Sequence, residues 1–401
     1  MPLNDLKAVW DTLLAAVTPM DTERVPLAEA FGRVLGETVA APEDVPAYAR
    51  SAFDGYAFRA ADTARASADS PAVLRILEEI PAGKEPTESL SPASAAKILT
   101  GAPIPEGADA VVKYEETEFT DREVRLFRPL SPGAGLLPAG SDLRRGETAV
   151  LTGTVIGAAE TAVLAALGYA SVTVYRKPKI GVISTGSELI EVDAPLKNAK
   201  LRVSNGYMLA AACAGLGCDT EMLGIASDSA EDIAGLIFIG LADCDMLLLT
   251  GGVSAGDYDL TPAAMETAGA RVLLRRPSSA PGGACAYGVG NGRLIAALSG
   301  NPGAALINFR AFTAAAVKKL CGYREPLPRI VTLESAGSLR AWESARLVPG
   351  TVEQDNGRAR IVFPDRRVSP LLRLASAEAL AVVPGGDGPV PEGTPLACLL
   401  P

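Results

Sequence analysis

The 401-residue sequence contains no histidine. Without an imidazole, a single type of chain cannot build a Ser-His-Asp or Cys-His catalytic site, and a histidine-ligated zinc or copper centre is excluded. Its six cysteines form no Cys-x-x-Cys pair, which indicates reduced, mostly buried thiols. A metal ion would therefore take carboxylate, hydroxyl and carbonyl ligands, and these favour Mg²⁺.

Several targeting and binding signatures are also missing. The longest apolar stretches, such as AGLIFIGLA, are too short to span a bilayer, and the amphipathic, acidic start MPLNDLKAVWDTLLAAV does not resemble a signal peptide. We therefore predict a cytoplasmic protein. The net charge of −10 argues against nucleic-acid and membrane partners. Neither a dinucleotide GxGxxG after the first α/β strand nor a GxxxxGK[ST] phosphate loop occurs.

The composition that is present describes a globular chain. Hydrophobic residues make up 48% of the sequence and charged residues 21%, which is enough apolar surface to build sizeable cores. With about 100 to 200 residues per domain, the length predicts two to four domains.

The middle third alternates between strand and helix patterns. Strands are predicted at KPKIGVIST (177–185), CDTEMLGIA (218–226) and CDMLLLT (244–250), with a helix at 204–217 and one long closing helix at 301–320. This order predicts a doubly wound α/β domain with a parallel sheet, whose ligand crevice lies at the carboxyl ends of the strands.

The flanking regions have short alternating runs and many turn residues. They predict a β-rich domain, a small linker domain and a C-terminal β-barrel-like domain around the α/β domain. The full division places an N-terminal helix packing on the α/β domain at 1–25, the linker domain at 26–44 and 143–176, the β-rich domain at 45–142, the α/β domain at 177–325 and the C-terminal β domain at 326–401.

Three glycine-containing loops follow predicted strands: STGSE (184–188), TGGVSAGDYD (250–259) and SGNPG (299–303). Glycine lets a backbone approach a ligand and direct N–H groups at it, so these loops are expected to bind a phosphate or another oxyanion. Any one loop alone is adequately explained as a tight turn. Three loops at one crevice favour a binding site.

The same loops carry acidic residues: Glu188, Asp257 and Asp259, with Asp228 after another strand. A carboxylate beside an anion cradle is costly unless it binds a cation, a donor group of the ligand or a proton. Helix capping is the alternative for Asp228 and Asp259.

Motifs spread along the chain resemble the molybdopterin molybdenumtransferase family, which includes the bacterial MoeA proteins and the gephyrin E domain. They are SAFDGYA (51–57), LTGAPIPEGADAVV (99–112), ISTGSEL (183–189), TGGVSAGDYD (250–259) and SGNPGAA (299–305), in family order. The resemblance implies a homodimer with its active site at the subunit interface. The implied reaction inserts molybdenum from molybdate into adenylated molybdopterin, with Mg²⁺ as cofactor and AMP released. The implied partners are a molybdopterin adenylyltransferase and acceptor molybdoenzymes.

The resemblance also assigns site residues. The implied catalytic residues are Asp54, Thr100, Asp142 and Asp259, and the implied metal ligands are Asp54, Glu188 and Asp259. The implied ligand-binding residues are Ser184, Thr185, Gly186, Glu188, Asp228, Gly251, Gly252, Ser254, Arg276, Asn301, Pro302, Arg346 and Ser369.

The chain departs from the family at two basic positions. The segment RRPSSAPGGACAYG (275–288) replaces a Lys-Pro-Gly-Lys-Pro segment, so that either Ser279 stands for the second lysine or the loop is shifted by an insertion. Leu137 stands for an arginine. Three hypotheses follow: a molybdenum transferase in which Arg275, Arg276, Lys113 or Arg202 supplies the lost charge, a divergent paralogue acting on tungstate or another molybdopterin derivative, or a non-catalytic molybdopterin-binding scaffold.

Overall fold

A computed structural model of the chain describes residues 3–196, 198–253, 260–275, 285–340, 342–355, 357–365, 367 and 375–400. Within these residues the chain forms two compact units. The α/β unit comprises Met1–Glu37, Thr152–Gly157 and Ser171–Pro401, and the β-rich unit comprises Thr38–Leu151 and Ala158–Ala170. This division is coarser than the five segments predicted from the sequence, whose boundaries stay a prediction.

The described residues contain seven α-helices: α1 Leu3–Ala15, α2 Ala158–Ala166, α3 Asn205–Ala214, α4 Ala230–Asp243, α5 Leu260–Thr267, α6 Pro302–Asn308 and α7 Ala314–Leu320. A π-helical turn, Phe309–Thr313, joins α6 to α7. Short 3₁₀ turns lie at Leu27–Glu29, Ala60–Thr63 and Tyr114–Glu116. In this part of the chain, no helix combines the length and the apolar character needed to cross a bilayer.

The strands of the described residues are, in chain order, β1 Thr22–Pro26, β2 Val39–Ala40, β3 Arg50–Ser51, β4 Gly55–Phe58, β5 Ala72–Ile80, β6 Ser94–Ile98, β7 Ala110–Lys113, β8 Thr117–Phe119, β9 Glu123–Leu126, β10 Leu136–Leu137, β11 Thr148–Val150, β12 Ser171–Tyr175, β13 Lys179–Thr185, β14 Leu189–Ile190, β15 Leu201–Arg202, β16 Asp219–Ala226, β17 Met246–Thr250, β18 Arg271–Arg275, β19 Ala286–Gly290, β20 Arg293–Leu298, β21 Arg329–Ser335, β22 Arg346–Asp355, β23 Arg358–Val362, β24 Ala379–Val383 and β25 Pro395–Leu400.

The main sheet of the α/β unit has the strand order β16-β13-β17-β20-β19-β18. Its first four strands are parallel, and β19 and β18 continue it in antiparallel pairing. All five residues of β17 are buried, as expected for a central parallel strand covered on both faces. The predicted α/β fold with a mainly parallel sheet is confirmed.

Two further β structures complete the fold. Strands β21 to β25 form a closed barrel in the α/β unit, and the β-rich unit contains a six-stranded sheet in the order β7-β4-β6-β5-β9-β8. Closure of the barrel leaves no free edge, which favours a small stable domain. The predicted barrel-like C-terminal region and β-rich region are therefore both present.

The closing helix of the α/β unit differs from the sequence prediction. Instead of one uninterrupted helix over 301–320, α6 and α7 are separated by the π turn, which buries Phe309 and Phe312. Helix α1 packs on this region, and Trp10 Nε1 donates a hydrogen bond to the carbonyl of Ala311 at 2.6 Å. Residue composition alone gives no signal for a π turn, because the same apolar residues fit an α-helix.

Candidate functional site

The three glycine loops start at the same edge of the main sheet. Strands β13, β17 and β20 are neighbours in parallel register, so that Ser184 lies opposite Thr250, and Thr250 lies opposite Leu298. Because each loop follows one of these strands, the loops converge as predicted. Residues 254–259 lie outside the described residues, and the predictions for Ser254, Asp257 and Asp259 fall there.

Hydrogen bonds hold the converging loops together. Thr185 Oγ1 donates to the carbonyl of Thr250 at 3.0 Å, and the Gly251 N–H donates to the carbonyl of Leu298 at 2.9 Å. Asn205, at the start of α3, donates from Nδ2 to the carbonyl of Gly300 at 2.8 Å. The loops therefore form one connected structure at the carboxyl edge of the sheet.

Gly251 and Gly252 have backbone conformations that other residues rarely adopt, with φ of +96° and +65°. A Cβ atom on Gly251 would lie 2.5 Å from Thr185 Oγ1, and one on Gly252 would lie 2.3 Å from Thr261 Oγ1. Both spacings are too short for real contacts, so this turn requires glycine for its conformation and for its packing.

A cavity of about 340 Å³ opens beside these loops. Its wall is formed by Thr185, Glu188, Leu189, Leu201, Arg202, Val203, Ser204, Asn205, Thr250, Gly300 and Pro302. The volume lies within the range of about 300–1,000 Å³ usual for small-molecule sites. Thr185, Glu188 and Pro302 are residues that the family resemblance assigned to ligand binding.

Two buried polar atoms at this edge have no hydrogen-bond partner among the described residues: Ser184 Oγ and Asn205 Oδ1. Ser184 is fully buried and Asn205 is 8% exposed. An unpaired buried acceptor costs about 1–3 kcal/mol. A ligand N–H or O–H group in the cavity would remove this cost at Asn205, which the sequence pattern indicates only as part of a helix start.

The acidic residues of the α/β unit have different surroundings. Glu188 lines the cavity and is exposed. Asp228 accepts a hydrogen bond from the Ser187 N–H at 3.0 Å, and its own N–H donates to Ser187 Oγ at 3.1 Å. The cap of α4 is Ser229, so the capping alternative for Asp228 is wrong. Asp228 instead joins the STGSE loop to the end of β16.

A group of side chains that could hold a metal ion lies away from the cavity, in the described part of the chain. The single group of three possible ligands there is Glu221, Asp243 and Cys244, at the opposite end of the main sheet. Lys179 pairs with both carboxylates of this group, which explains it as an ion pair. Of the predicted Mg²⁺ ligands, Asp54 belongs to the β-rich unit, Glu188 belongs to the α/β unit, and Asp259 lies outside the described residues.

Positive charge at the cavity comes from the segment before α3. Arg202 lines the cavity, and Lys200 Nζ donates to the carbonyl of Ser187 at 2.6 Å. Arg275 is already paired with Glu266 at 3.3 Å, and Arg276 lies outside the described residues. Of the compensating residues proposed in this unit, Arg202 is the one placed at the cavity, and Lys200 is an addition that no motif indicated.

Asp54 and Thr100 meet in the β-rich unit. One carboxylate oxygen, Asp54 Oδ1, accepts hydrogen bonds from both the backbone N–H and Oγ1 of Thr100, each at 2.7 Å. These bonds lower the pKa of Asp54 below its ordinary value of 3.8, with the backbone N–H as the largest cause. The structure therefore brings two residues of different motifs into direct contact and keeps the carboxylate ionised.

Asp142 lies beside Arg50 in the same unit, with Arg50 Nη2 3.6 Å from Asp142 Oδ2. Arg50 is directly opposite Leu137 in the β3–β10 pair. Residues opposite each other on paired strands place their side chains on the same face. Arg50 thus carries a positive charge next to the position where the family arginine is replaced by leucine. Lys113 lies 5.2 Å from the centre of the Phe53 ring in this unit.

The remaining predicted residues have structural partners or are not described. Asn301 Oδ1 accepts from the Ala304 N–H at 3.1 Å and caps α6, with Pro302 in the first turn. Arg346 begins β22 and lies 5.8 Å from the centre of the Trp342 ring. Ser369 lies outside the described residues.

Two family models match the chain. The MoeA N-terminal region (domain I and II) matches residues 4–168, and a probable molybdopterin binding domain matches residues 181–319. A crystal structure of the molybdopterin biosynthesis MoeA protein from Pyrococcus horikosii superposes with a TM-score of 0.85 at 29% identity, covering 98% of each chain.

Sequence relatives extend over almost the whole length. A molybdopterin molybdenumtransferase of Bacillus subtilis (strain 168) is 35% identical over 389 residues, which cover 95% of this chain and 90% of the relative. One of Staphylococcus aureus (strain Mu50) is 30% identical over 365 residues, covering 90% and 87%. The chain belongs to the molybdopterin molybdenumtransferase family.

Proposed function

We propose that this protein is a molybdopterin molybdenumtransferase that inserts molybdenum from molybdate into adenylated molybdopterin and releases AMP. The relatives carry this transferase name, and both family models belong to the same pathway. The observation that carries the proposal is the cavity at the three converging glycine loops, with the unpaired acceptor Asn205 Oδ1 in its wall.

The cavity suits a ligand that has both an oxyanion and hydrogen-bond donors. Backbone N–H groups of glycine turns favour phosphate oxygens, and Arg202 adds positive charge in the wall of the cavity. Lys200 carries a second positive charge on the loop beside Glu188, where it donates to the carbonyl of Ser187. The acceptor Asn205 Oδ1 suits an N–H group of a planar heterocycle such as a pterin. Together these groups match the two ends of adenylated molybdopterin.

Asp54 provides an ionised carboxylate for the same reaction. Its Oδ1 atom is occupied by Thr100, whereas no hydrogen bond or ion pair involves Oδ2 among the described residues. A free carboxylate oxygen fits a hard divalent cation, so Asp54 is the described residue of the β-rich unit that offers a ligand to Mg²⁺, and Glu188 is the one that the α/β unit offers. When bound, Mg²⁺ supplies charge neutralisation to a phosphoanhydride. Thr100 fixes the orientation of the carboxylate.

Arg50 provides the charge that Leu137 lacks. The substrates are anionic molybdate and a phosphoanhydride, so bringing them together requires donors that offset their repulsion. Arg50 lies opposite Leu137, and its side chain is about one-third exposed next to Asp142. We therefore assign to Arg50 the oxyanion contact that an arginine at position 137 makes in the family.

The proposal is tested by AMP release from protein-bound adenylated molybdopterin, with molybdate and Mg²⁺ present or omitted. We expect molybdate-dependent release by the wild type and its loss in Asp54→Ala, while Asp121→Ala, an exposed acid of the same unit, keeps the wild-type rate. Arg50→Met should slow release by about tenfold or more, as expected for a lost charged hydrogen bond. Arg75→Met is its matched control, because Arg75 is exposed on β5.

Other outcomes separate the alternative functions. Release that depends on tungstate and not on molybdate would identify a divergent paralogue. Tight binding of adenylated molybdopterin without release under any of these conditions would identify a binding or scaffold protein. An Arg50→Met variant with the wild-type rate would contradict the role given to Arg50.

A further inference from the structure

A second cavity of the α/β unit lies away from the glycine loops. It has a volume of about 250 Å³ and forms a groove between α3 and the α6–α7 segment. The α3 wall consists of small or apolar residues, Ala211, Ala212, Gly215 and Leu216. Pro326 and Pro328 also line it. We call this cavity the α3–α7 groove.

The opposite wall carries two cations. Leu306, Arg310, Ala314 and Lys318 follow one another at four-residue spacing along the α6–α7 segment and all line the groove. In a continuous α-helix, residues eight apart differ by about 80° in direction. The π turn, which contains Arg310, has more residues per turn and therefore rotates less per residue than an α-helix. This reduces the difference in direction, so that Arg310 and Lys318 face the same groove.

Neither cation has an acidic partner among the described residues. Arg310 Nη1 donates to the carbonyl of Ala377 at 3.0 Å, and among the described residues the Lys318 ammonium group has no hydrogen bond or ion pair. None of the described residues that line the groove is acidic. Both side chains are half-buried, and burial lowers the pKa of each. Two half-buried cations without a counter-charge are unfavourable in a chain that has 47 acidic residues available to pair with them.

We propose that the α3–α7 groove binds a small carboxylate with a compact apolar body. Lys318 and Arg310 would bind the carboxylate, and the small residues of α3 with Phe309 and Leu306 would contact the apolar body. The volume lies just below the usual range of about 300–1,000 Å³, so the ligand is smaller than a nucleotide. We therefore expect an acid of about the size of an arylacetate.

The groove is separate from the glycine-loop cavity. Asn205 begins α3 at that cavity, whereas Gly215 follows the other end of this ten-residue helix at the groove. At 1.5 Å per residue the two ends are about 15 Å apart. The proposal therefore does not depend on the transferase function, and either can fail without the other.

The test uses the full-length protein with ¹³C-labelled alanine methyl groups, because Ala211, Ala212, Ala314 and Ala315 all line the groove. The probes are sodium phenylacetate and its neutral analogue phenylacetamide. We expect saturable shifts of these four methyl resonances with phenylacetate, and binding of phenylacetamide at least about tenfold weaker because it lacks the charge. Equal affinities, or an absence of shifts at these methyl groups, would overturn the proposal.

Three variants make the test specific. Lys318→Met removes a charge and should weaken phenylacetate binding by about tenfold or more, whereas Lys177→Met, an exposed lysine outside the groove, should not change it. Gly215→Leu should abolish binding by filling the groove. A Cβ atom on Gly215 meets its nearest neighbour, the carbonyl of Ala211, at an ordinary 3.5 Å, so folding is retained. A cooperative thermal unfolding transition shows that a variant is folded. If Lys318→Met or Gly215→Leu lacks such a transition, the binding measurement on the other variant tests the proposal. Unchanged binding in the folded variant would overturn the proposal.

Discussion

Thr100 donates two hydrogen bonds to a single oxygen of Asp54, one from its backbone N–H and one from its hydroxyl, both at 2.7 Å. The two residues are 46 positions apart, and each belongs to a motif that a sequence reader would otherwise assign to a turn. Their contact joins the two segments and fixes the orientation of the Asp54 carboxylate. The other oxygen of that carboxylate is left for a ligand.

Thr100→Val should raise the pKa of Asp54 towards its ordinary value, because the hydroxyl bond is lost while the backbone bond remains. With the folded pKa depressed, the stabilisation is present above the ordinary value of 3.8 and is lost as the pH falls through the folded pKa. Asp54 is therefore ionised throughout the range from neutral pH down to about pH 5.

Carboxyl ¹³C titration by NMR measures this pKa directly. Thr87→Val is the matched control, since Thr87 donates to Glu78 in the same unit and its loss should leave Asp54 unchanged. An Asp54 pKa that is insensitive to Thr100→Val would show that the hydroxyl does not stabilise the charge.

Gly251→Ala should destabilise the protein more than the same change at a permissive glycine. The new Cβ atom adds a clash with Thr185 Oγ1 to the cost of the left-handed backbone. Gly292, with φ of +74° and open space around it, gives the backbone cost alone. We expect about 1–2 kcal/mol for Gly292→Ala and about 1–3 kcal/mol more for Gly251→Ala.

Urea unfolding of the two variants measures the difference. Gly251→Ala should also weaken adenylated molybdopterin binding, which Gly292→Ala should leave unchanged. Equal free energies of unfolding for the two variants would mean that the loop moves to accept the methyl group.

Asp245 should stabilise the α/β unit in a pH-dependent way. Burial alone would raise its pKa, but hydrogen bonds from Arg176 at 3.0 Å and from the Lys179 N–H at 2.8 Å lower it below 3.8 overall. This stabilisation is complete above about pH 4 and is lost as the pH falls through the folded pKa. We expect Asp245→Asn to cost about 1–3 kcal/mol at neutral pH.

Asp243→Asn is the control for this prediction. Asp243 lies two residues away and pairs with Lys179, but its side chain is 66% exposed, against 18% for Asp245. An exposed pair contributes at most about 1 kcal/mol. Denaturant unfolding at pH 7 and at about pH 2 should show the larger effect, and its loss in acid, for Asp245→Asn alone.

The thiols should be unreactive in the folded protein. All six cysteines are free and buried, and burial raises the pKa of Cys213 and of Cys285 to about 12. Since the thiolate is the reactive form, Ellman's reagent at pH 8 should label none of them rapidly before denaturation and all six afterwards. A thiol that reacts within seconds in the native protein would contradict this burial.

Much of the fold was predictable because its central strands are unusual in sequence. Continuous apolar runs such as that of β17 fit a strand covered on both faces, and the glycine loops after them mark the carboxyl edge. The π turn at Phe309–Thr313 was not predictable, since no residue in it is incompatible with an α-helix.

The candidate site was predictable where a motif contains the residues that would bind the ligand. It was not predictable where the position of a residue depends on pairing between segments that are far apart in the sequence. Arg50 is a candidate to replace the missing arginine only because it lies opposite Leu137, 87 positions later. The register between strands of two residues leaves no pattern in the sequence. Asn205 resembles an ordinary residue of a helix start, and only the burial of its Oδ1 atom without a hydrogen-bond donor singles it out as a candidate ligand contact.

The most direct test of the central claim is a single turnover in which AMP released and molybdenum bound to molybdopterin are counted together. We predict that the two amounts are equal, that both require molybdate, and that both are lost in Asp54→Ala. AMP released without bound molybdenum would indicate a hydrolase, and molybdenum bound without AMP would indicate chemistry that does not use the adenylate. Either result would contradict the proposed transferase reaction.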